Sequence, residues 1–172
     1  VAVTPIQLAQ AFSAMLNGGV LVQPRVVKAV GDRETSPIAR GRVLSEKLSV
    51  TLKKLMKHVV TKVDFYRDRT LIPGFEVGGK TGTAQIWDAD AKRWKVNRFN
   101  YSFIGYVGRE KGQADLVVAV RIEEGTPTVV RRGLLEMPVM SFELFRRIAH
   151  NAINTPDLVP ERHATPAVAD LP

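Results

Sequence analysis

Between Phe75 and Glu124 the chain carries three runs of strand-like period with no helical pattern between them: "FEVGGKTGTAQIW", "YSFIGYVG" (Tyr101 to Gly108) and "ADLVVAVRIEE" (Ala114 to Glu124). Strands that follow one another in this way pair as an antiparallel meander, because a parallel crossover needs a helix-sized connection. The last two runs are separated only by the polar turn "REKGQ". The long polar stretch from Asp88 to Asn100 is expected to be a loop on the surface or at the rim of a site.

Helices are expected on both sides of these strands. "VTPIQLAQAFSAMLNGG" has Thr4 as N-cap, Pro5 at the first helical position, Gln7 to close a capping box, and Gly18 or Gly19 as a stop, with Leu8, Phe12, Met15 and Leu16 on one face. "VLVQPRVVKAV" (Val20 to Val30) is β-branched, but Pro24 restricts it to an edge strand or a broken pair. A turn-rich linker follows over Gly31 to Arg42. A second helix starts near Ser45, with Leu48, Leu52, Leu55, Met56 and Val59 as its core stripe and the lysines facing away. "MPVMSFELFRRIAHNAI" reads as a closing helix that covers a sheet face with Phe142, Phe145, Ile148, Ala149 and Ala152. Residues 154–172 are proline-rich and read as an extended tail.

Within the first strand run, "GFEVGGKTGTAQ" formally satisfies G-x-x-x-x-G-K-T through Gly74, Gly79, Lys80 and Thr81. A phosphate loop needs a buried strand before the glycines and a helix starting at the Lys-Thr. Here "YRDRTLIP" precedes and "GTAQIWDAD" follows, so a P-loop nucleotide site lacks its context. The other reading puts Lys80 in an edge strand whose surface Gly78, Gly79 and Gly82 keep low for a substrate backbone. Strict alternation sets Thr81 and Thr83 on the face opposite Lys80, so joint action on one ligand calls for twist or an irregularity. A lysine ammonium with threonine hydroxyls suits a terminal carboxylate, and a strand-edge N–H suits a developing oxyanion.

At 172 residues and 45% hydrophobic, the chain is one domain or part of one. It has no cysteine, which removes disulfides, thiolate zinc and a cysteine nucleophile. His58 is expected on a helix surface, and His150 and His163 have no companions, so no metal site and no cofactor are called for. The net charge of +8 is distributed over Lys53, Lys54 and Lys57, the Lys92 to Arg98 stretch, and Arg131 and Arg132. These read as solvated faces, with no nucleic-acid motif beside them.

Taken together, "VGGKTGTAQ", the preceding "VTPIQLAQAFSAMLNGGVLVQPRVVKAV", the two following strands and the last helix resemble the C-terminal half of the transpeptidase domain of class B penicillin-binding proteins. The resemblance covers residues 1–153. It implies an α+β fold with a central antiparallel sheet flanked by helices, of which this chain supplies the C-terminal half. The implied activity is cross-linking of peptidoglycan stem peptides by acyl transfer through a serine ester, which β-lactams also form. By the same resemblance Lys80, Thr81 and Gly82 are the K-T-G triplet. Lys80 is catalytic, Thr81 and Thr83 hold the carboxylate of D-Ala-D-Ala or a β-lactam, and the Thr83 N–H is half of the oxyanion hole.

The family's S-x-x-K and S-x-N are absent. The chain also starts at Val1 with no leader or membrane span, and a piece without its nucleophile is therefore expected to be inactive alone. Its missing N-terminal part would be a partner, and an upstream anchor would hold it at the extracytoplasmic face of the bacterial cytoplasmic membrane. A non-catalytic β-lactam sensor is the alternative within the same fold. "TKVDFYRDRT" departs from the G-T-containing turn common in relatives. Trp87, Trp94 and Tyr101 are candidates for substrate contact or for packing at the core or rim.

Overall fold

The computed structural model describes residues 3–109, 114–125, 128–130, 134–136 and 139–155. Most of the "REKGQ" turn, Arg131, Arg132, Met137, Pro138, His163 and the tail from residue 156 lie outside them.

Helix α1 (Pro5–Leu16) forms as its ends dictate: the Thr4 hydroxyl accepts from the Gln7 N–H, the Gln7 side chain accepts from the Thr4 N–H, and the C-cap is Asn17. Gly18 and Gly19 then turn the chain at positive φ, and a Cβ on Gly19 would lie 1.9 Å from the Leu44 carbonyl oxygen. The chain continues through β1 (Val20–Val22), β2 (Ala29–Val30), β3 (Arg33–Glu34) and β4 (Ala39–Arg42). β1 pairs with β4 and β2 with β3, so the segment expected as a linker supplies strand partners on either side of the Pro24 break.

Helix α2 (Glu46–Lys62) is capped by Ser45, and α3 (Asp64–Thr70) follows directly. The main sheet is β5 (Glu76–Asp88), β6 (Arg93–Gly108) and β7 (Leu116–Gly125), antiparallel in the order β5-β6-β7. The meander is therefore as expected, and among the described residues β5 is an edge. A small β8–β9 pair (Thr128–Val130, Leu134–Glu136) precedes α4 (Ser141–Ile153).

Strand alternation builds two cores. Phe103, Val107, Val77 and Val120 pack against Phe142, Phe145 and Ala149 of α4, and Phe65 and Tyr66 of α3 join them. Ile104 and Tyr106, on the opposite face, pack under Phe12 and Leu16 of α1. The aromatic residues of α3 are what the "TKVDFYRDRT" segment contributes: Phe65 and Tyr66 each meet the Phe142 ring edge-on, at 5.5 and 5.2 Å.

Three further expectations require correction. Leu8, Leu48, Leu55 and Ile148 were assigned to core stripes, yet all are exposed. In α2 the inward line is instead Ser49, Lys53, Met56 and Val60. Ser49 turns in because its hydroxyl donates to the Met15 carbonyl and accepts from the Gly18 N–H, which ties α2 to the end of α1.

The lysines of α2 do not all face away either. Lys53 and Lys57 reach Glu76 of β5 at 3.0 and 2.7 Å, and the buried Tyr106 hydroxyl donates to the same carboxylate at 3.2 Å. With its side chain only 12% exposed, Glu76 recruits these donors because a carboxylate that leaves water needs them.

The third correction concerns Asp88–Asn100, which is a hairpin rather than a loop. β6 starts at Arg93, and only residues 89–92 turn. Asp88 Oδ1 accepts from the Ala91 N–H at 3.0 Å, and Trp87 pairs across to Trp94. Polar residues suit a ribbon with both faces in water, and the aromatic pair supplies its cross-strand contact.

The Glu76 cluster makes stability depend on acid. Burial alone would push this carboxyl up, but hydrogen bonds from Lys57 and Lys53 more than reverse that, and it titrates below its ordinary value of 4.5. A depressed native value gives stability that is complete above the unfolded-state value and lost as pH falls through the folded one. Glu76→Gln is expected to lower unfolding free energy by about 2–4 kcal/mol at pH 7. The gap to the parent protein should close as pH falls from 4.5. Urea unfolding at pH 7 and pH 3 checks both; an unchanged gap at pH 3 would remove the carboxylate from the account.

Candidate active site

β5 runs unbroken through Lys80, with regular register to β6 from Glu76 to Gln85. No helix begins at Lys80–Thr81, so the phosphate-loop reading falls. Lys80 lies opposite Ile104, on the α1/α2 face, while Thr81 and Thr83 lie opposite Phe103 and Tyr101, on the α3/α4 face. Of the twist or irregularity that joint action called for, no irregularity falls here; one comes later, between Gln85 and Trp87. The two faces meet because the strand is an edge. The flexible lysine side chain curls round it, and its ammonium donates to the Thr81 carbonyl at 2.8 Å and to Thr81 Oγ1 at 3.5 Å.

Thr81 Oγ1 also has the Tyr66 hydroxyl at 3.4 Å. The lysine can only donate to this oxygen. When the phenol donates as well, both lone pairs are engaged and the threonine proton is left for an acceptor outside. Tyr66 is the site residue that sequence reasoning missed, since nothing in "DFYRD" announces a contact to a strand fifteen residues on. Thr83 is exposed, and Gly82 and Thr81 are half-buried.

The glycines divide into two roles. A Cβ on Gly78 would lie 2.8 Å from the Lys57 backbone nitrogen and 2.5 Å from the Tyr106 ring, and one on Gly79 would lie 2.5 Å from the Phe103 ring. Both are buried: Gly78 lets α2 approach the sheet and Gly79 makes room for the Phe103 ring on the other face, rather than keeping an outer surface low as expected. Gly82 alone keeps that role: an added Cβ would meet only the Ser102 hydroxyl side chain, at 2.5 Å.

Of the aromatic candidates, Tyr101 is 5% exposed against Phe99, and burial raises its phenol above the ordinary range. Trp87 and Trp94 are half in water on the projecting hairpin. His58 is exposed on α2, as expected. Among the described residues no group of three histidines, aspartates or glutamates is placed to hold a metal ion, and no helix is long and apolar enough to cross a membrane.

An antiparallel sheet between helices, with a K-T-G lysine displayed on an edge strand, is the arrangement that the sequence resemblance implies. The family model for the penicillin binding protein transpeptidase domain matches residues 1–134, and the chain belongs to that family. It is 33% identical over 148 residues to stage V sporulation protein D of Bacillus subtilis, covering 81% of this chain and 22% of that one. It is 36% identical over 102 residues to the probable peptidoglycan D,D-transpeptidase FtsI of Caulobacter vibrioides, covering 59% and 17%. The crystal structure of penicillin-binding protein 3 from Mycobacterium tuberculosis complexed with ampicillin shares the fold, with a TM-score of 0.65 at 22% identity over 92% of this chain and 37% of that one. The chain thus spans about a fifth of the length of the curated relatives it matches.

Proposed function

We propose that this chain supplies the K-T-G strand of a penicillin-binding serine D,D-transpeptidase that cross-links peptidoglycan stem peptides and is acylated by β-lactams. The observation that carries the reading is the convergence of Lys80 and Thr81 at the open edge of β5. An ammonium beside a hydroxyl, which can turn its proton outward when Tyr66 donates to it, is a receptor for a carboxylate, here that of D-Ala-D-Ala or of a β-lactam. Thr83 adds a second hydroxyl, and its backbone N–H donates to the oxyanion that forms when the scissile carbonyl is attacked. Gly82 keeps the approach open. No cofactor enters this chemistry.

The serine and its base come, in this reading, from the rest of a longer polypeptide, since neither S-x-x-K nor S-x-N occurs in these residues. The exposed Leu8, Leu48 and Leu55 and the free edge of β5 support a partner segment packing there. The reading places the domain outside the bacterial cytoplasmic membrane, held by an upstream anchor, with residues 154–172 as a tail.

Labelling with a fluorescent penicillin, read on a denaturing gel, tests this. The full-length polypeptide is expected to carry a covalent label and the 172-residue chain none. A label on the short chain would mean that the nucleophile lies within it; an unlabelled full-length protein would end the transpeptidase reading.

A further inference from the structure

The chain contains two tryptophans, and they form one pair. Trp87 and Trp94 are cross-strand partners with ring centroids 5.3 Å apart at 78°, and each is 52% exposed. Clamping a hairpin needs only the ring-to-ring contact, yet here about half of each large apolar surface is left in water, and Val96 on the same hairpin is 76% exposed.

Their position relative to the K-T-G strand gives the pair a direction. Alternation along β5 puts Thr81, Thr83, Gln85 and Trp87 on one face. The irregularity past Gln85 falls on β6, where Phe99 and Trp94 are five residues apart against two between Gln85 and Trp87. If the donor carboxylate sits at Lys80 and Thr81 and its scissile carbonyl at the Thr83 N–H, the rest of the donor runs toward Trp87. Four strand residues span about 13 Å, the reach of about four extended peptide residues. That distance brings the tryptophans to the end of the stem where the peptide joins its sugar. A pyranose ring offers a flat C–H face with a polar rim. The pair offers aromatic faces on a hairpin that also carries the polar Gln85, Asp88, Lys92 and Arg93.

We infer that Trp87 and Trp94 form a saccharide-stacking subsite for the sugar end of the acyl donor. The inference rests on the reading of Lys80 to Thr83 given above.

The test compares acyl transfer by the full-length protein on a disaccharide-linked stem pentapeptide and on the same pentapeptide without sugar. Trp87→Ala and Trp94→Ala are each expected to lower kcat/KM for the sugar-bearing donor by about tenfold, while the sugar-free donor and penicillin labelling change by less than about twofold. Trp87→Phe, which keeps a stacking face, should recover most of the loss. Equal loss on both donors, or none on the sugar-bearing one, overturns the subsite while penicillin labelling of the unaltered protein leaves the transpeptidase reading standing. An unaltered protein that takes no penicillin and turns over neither donor overturns both.

Discussion

Gly78→Ala is expected to cost about 3 kcal/mol of unfolding free energy, at the upper end of what overpacking a tight core does. The added carbon would sit 2.8 Å from the backbone nitrogen of Lys57 and 2.5 Å from the Tyr106 ring. Neither neighbour can swing aside: one is helix backbone, and the other is a buried ring whose hydroxyl is held by Glu76. Burial, then the Glu76 charge, drives the Tyr106 phenol far above its ordinary range, so it remains a donor to that carboxylate at any ordinary pH. Relief requires α2 to lift from β5, which would strain the Lys53–Glu76–Lys57 cluster as well. Gly82→Ala, on the same strand and face, is the control. It meets only a serine side chain and should cost less than about 1 kcal/mol. Urea unfolding of the two variants checks the contrast; equal midpoints would show that the α2–β5 contact is not tight.

Lys80→Ala in the full-length protein is expected to reduce the second-order rate of penicillin acylation by about 100-fold or more. That is the scale seen when one charged or oriented donor is lost at a developing anion. Lys80 is exposed and, among the described residues, its ammonium bonds only to Thr81, so the thermal midpoint should hardly move. Thr81→Val removes one hydroxyl and should cost less, about tenfold. Because Lys80 donates to Thr81 Oγ1, the double variant should lose less than the two single losses multiplied. Rates for Lys80→Ala within about threefold of the unaltered protein would remove the lysine from the site.

Periodicity and end signals carried much of the fold. Thr4, Pro5 and Gln7 fixed the start of α1, Ser45 that of α2, and three uninterrupted strand runs gave the meander in the right order. These are local facts: a cap is settled within one turn, and alternation within a few residues. The hairpin at Asp88 to Asn100 was hidden because its alternation is short: Trp94 and Val96 alternate with Arg93, Lys95 and Asn97, but the pattern breaks at Asn97, which has positive φ, before Phe99. α3 was hidden because seven residues are too few to show a helical period, and its reason for existing is Phe142, far along the chain.

The site divides in the same way. That Lys80, Thr81, Gly82 and Thr83 stand together on a strand was legible from the residues themselves. Which glycines pack and which leave space was not, because the answer lies in the Lys57 backbone and the Phe103 ring. Sequence likewise could not pair Tyr66 with Thr81 or turn two lysines inward to Glu76. Hydrogen-bond direction and burial are properties of what surrounds a group, and for these residues the surroundings arrive from other helices and strands. Sequence by itself determined α1, α2, the three-strand meander and α4, their order, and the chemistry displayed on β5. The tertiary structure decided how side chains belonging to opposite faces of that edge strand meet around it, because the contact depends on where the lysine ammonium and the Tyr66 hydroxyl come to rest.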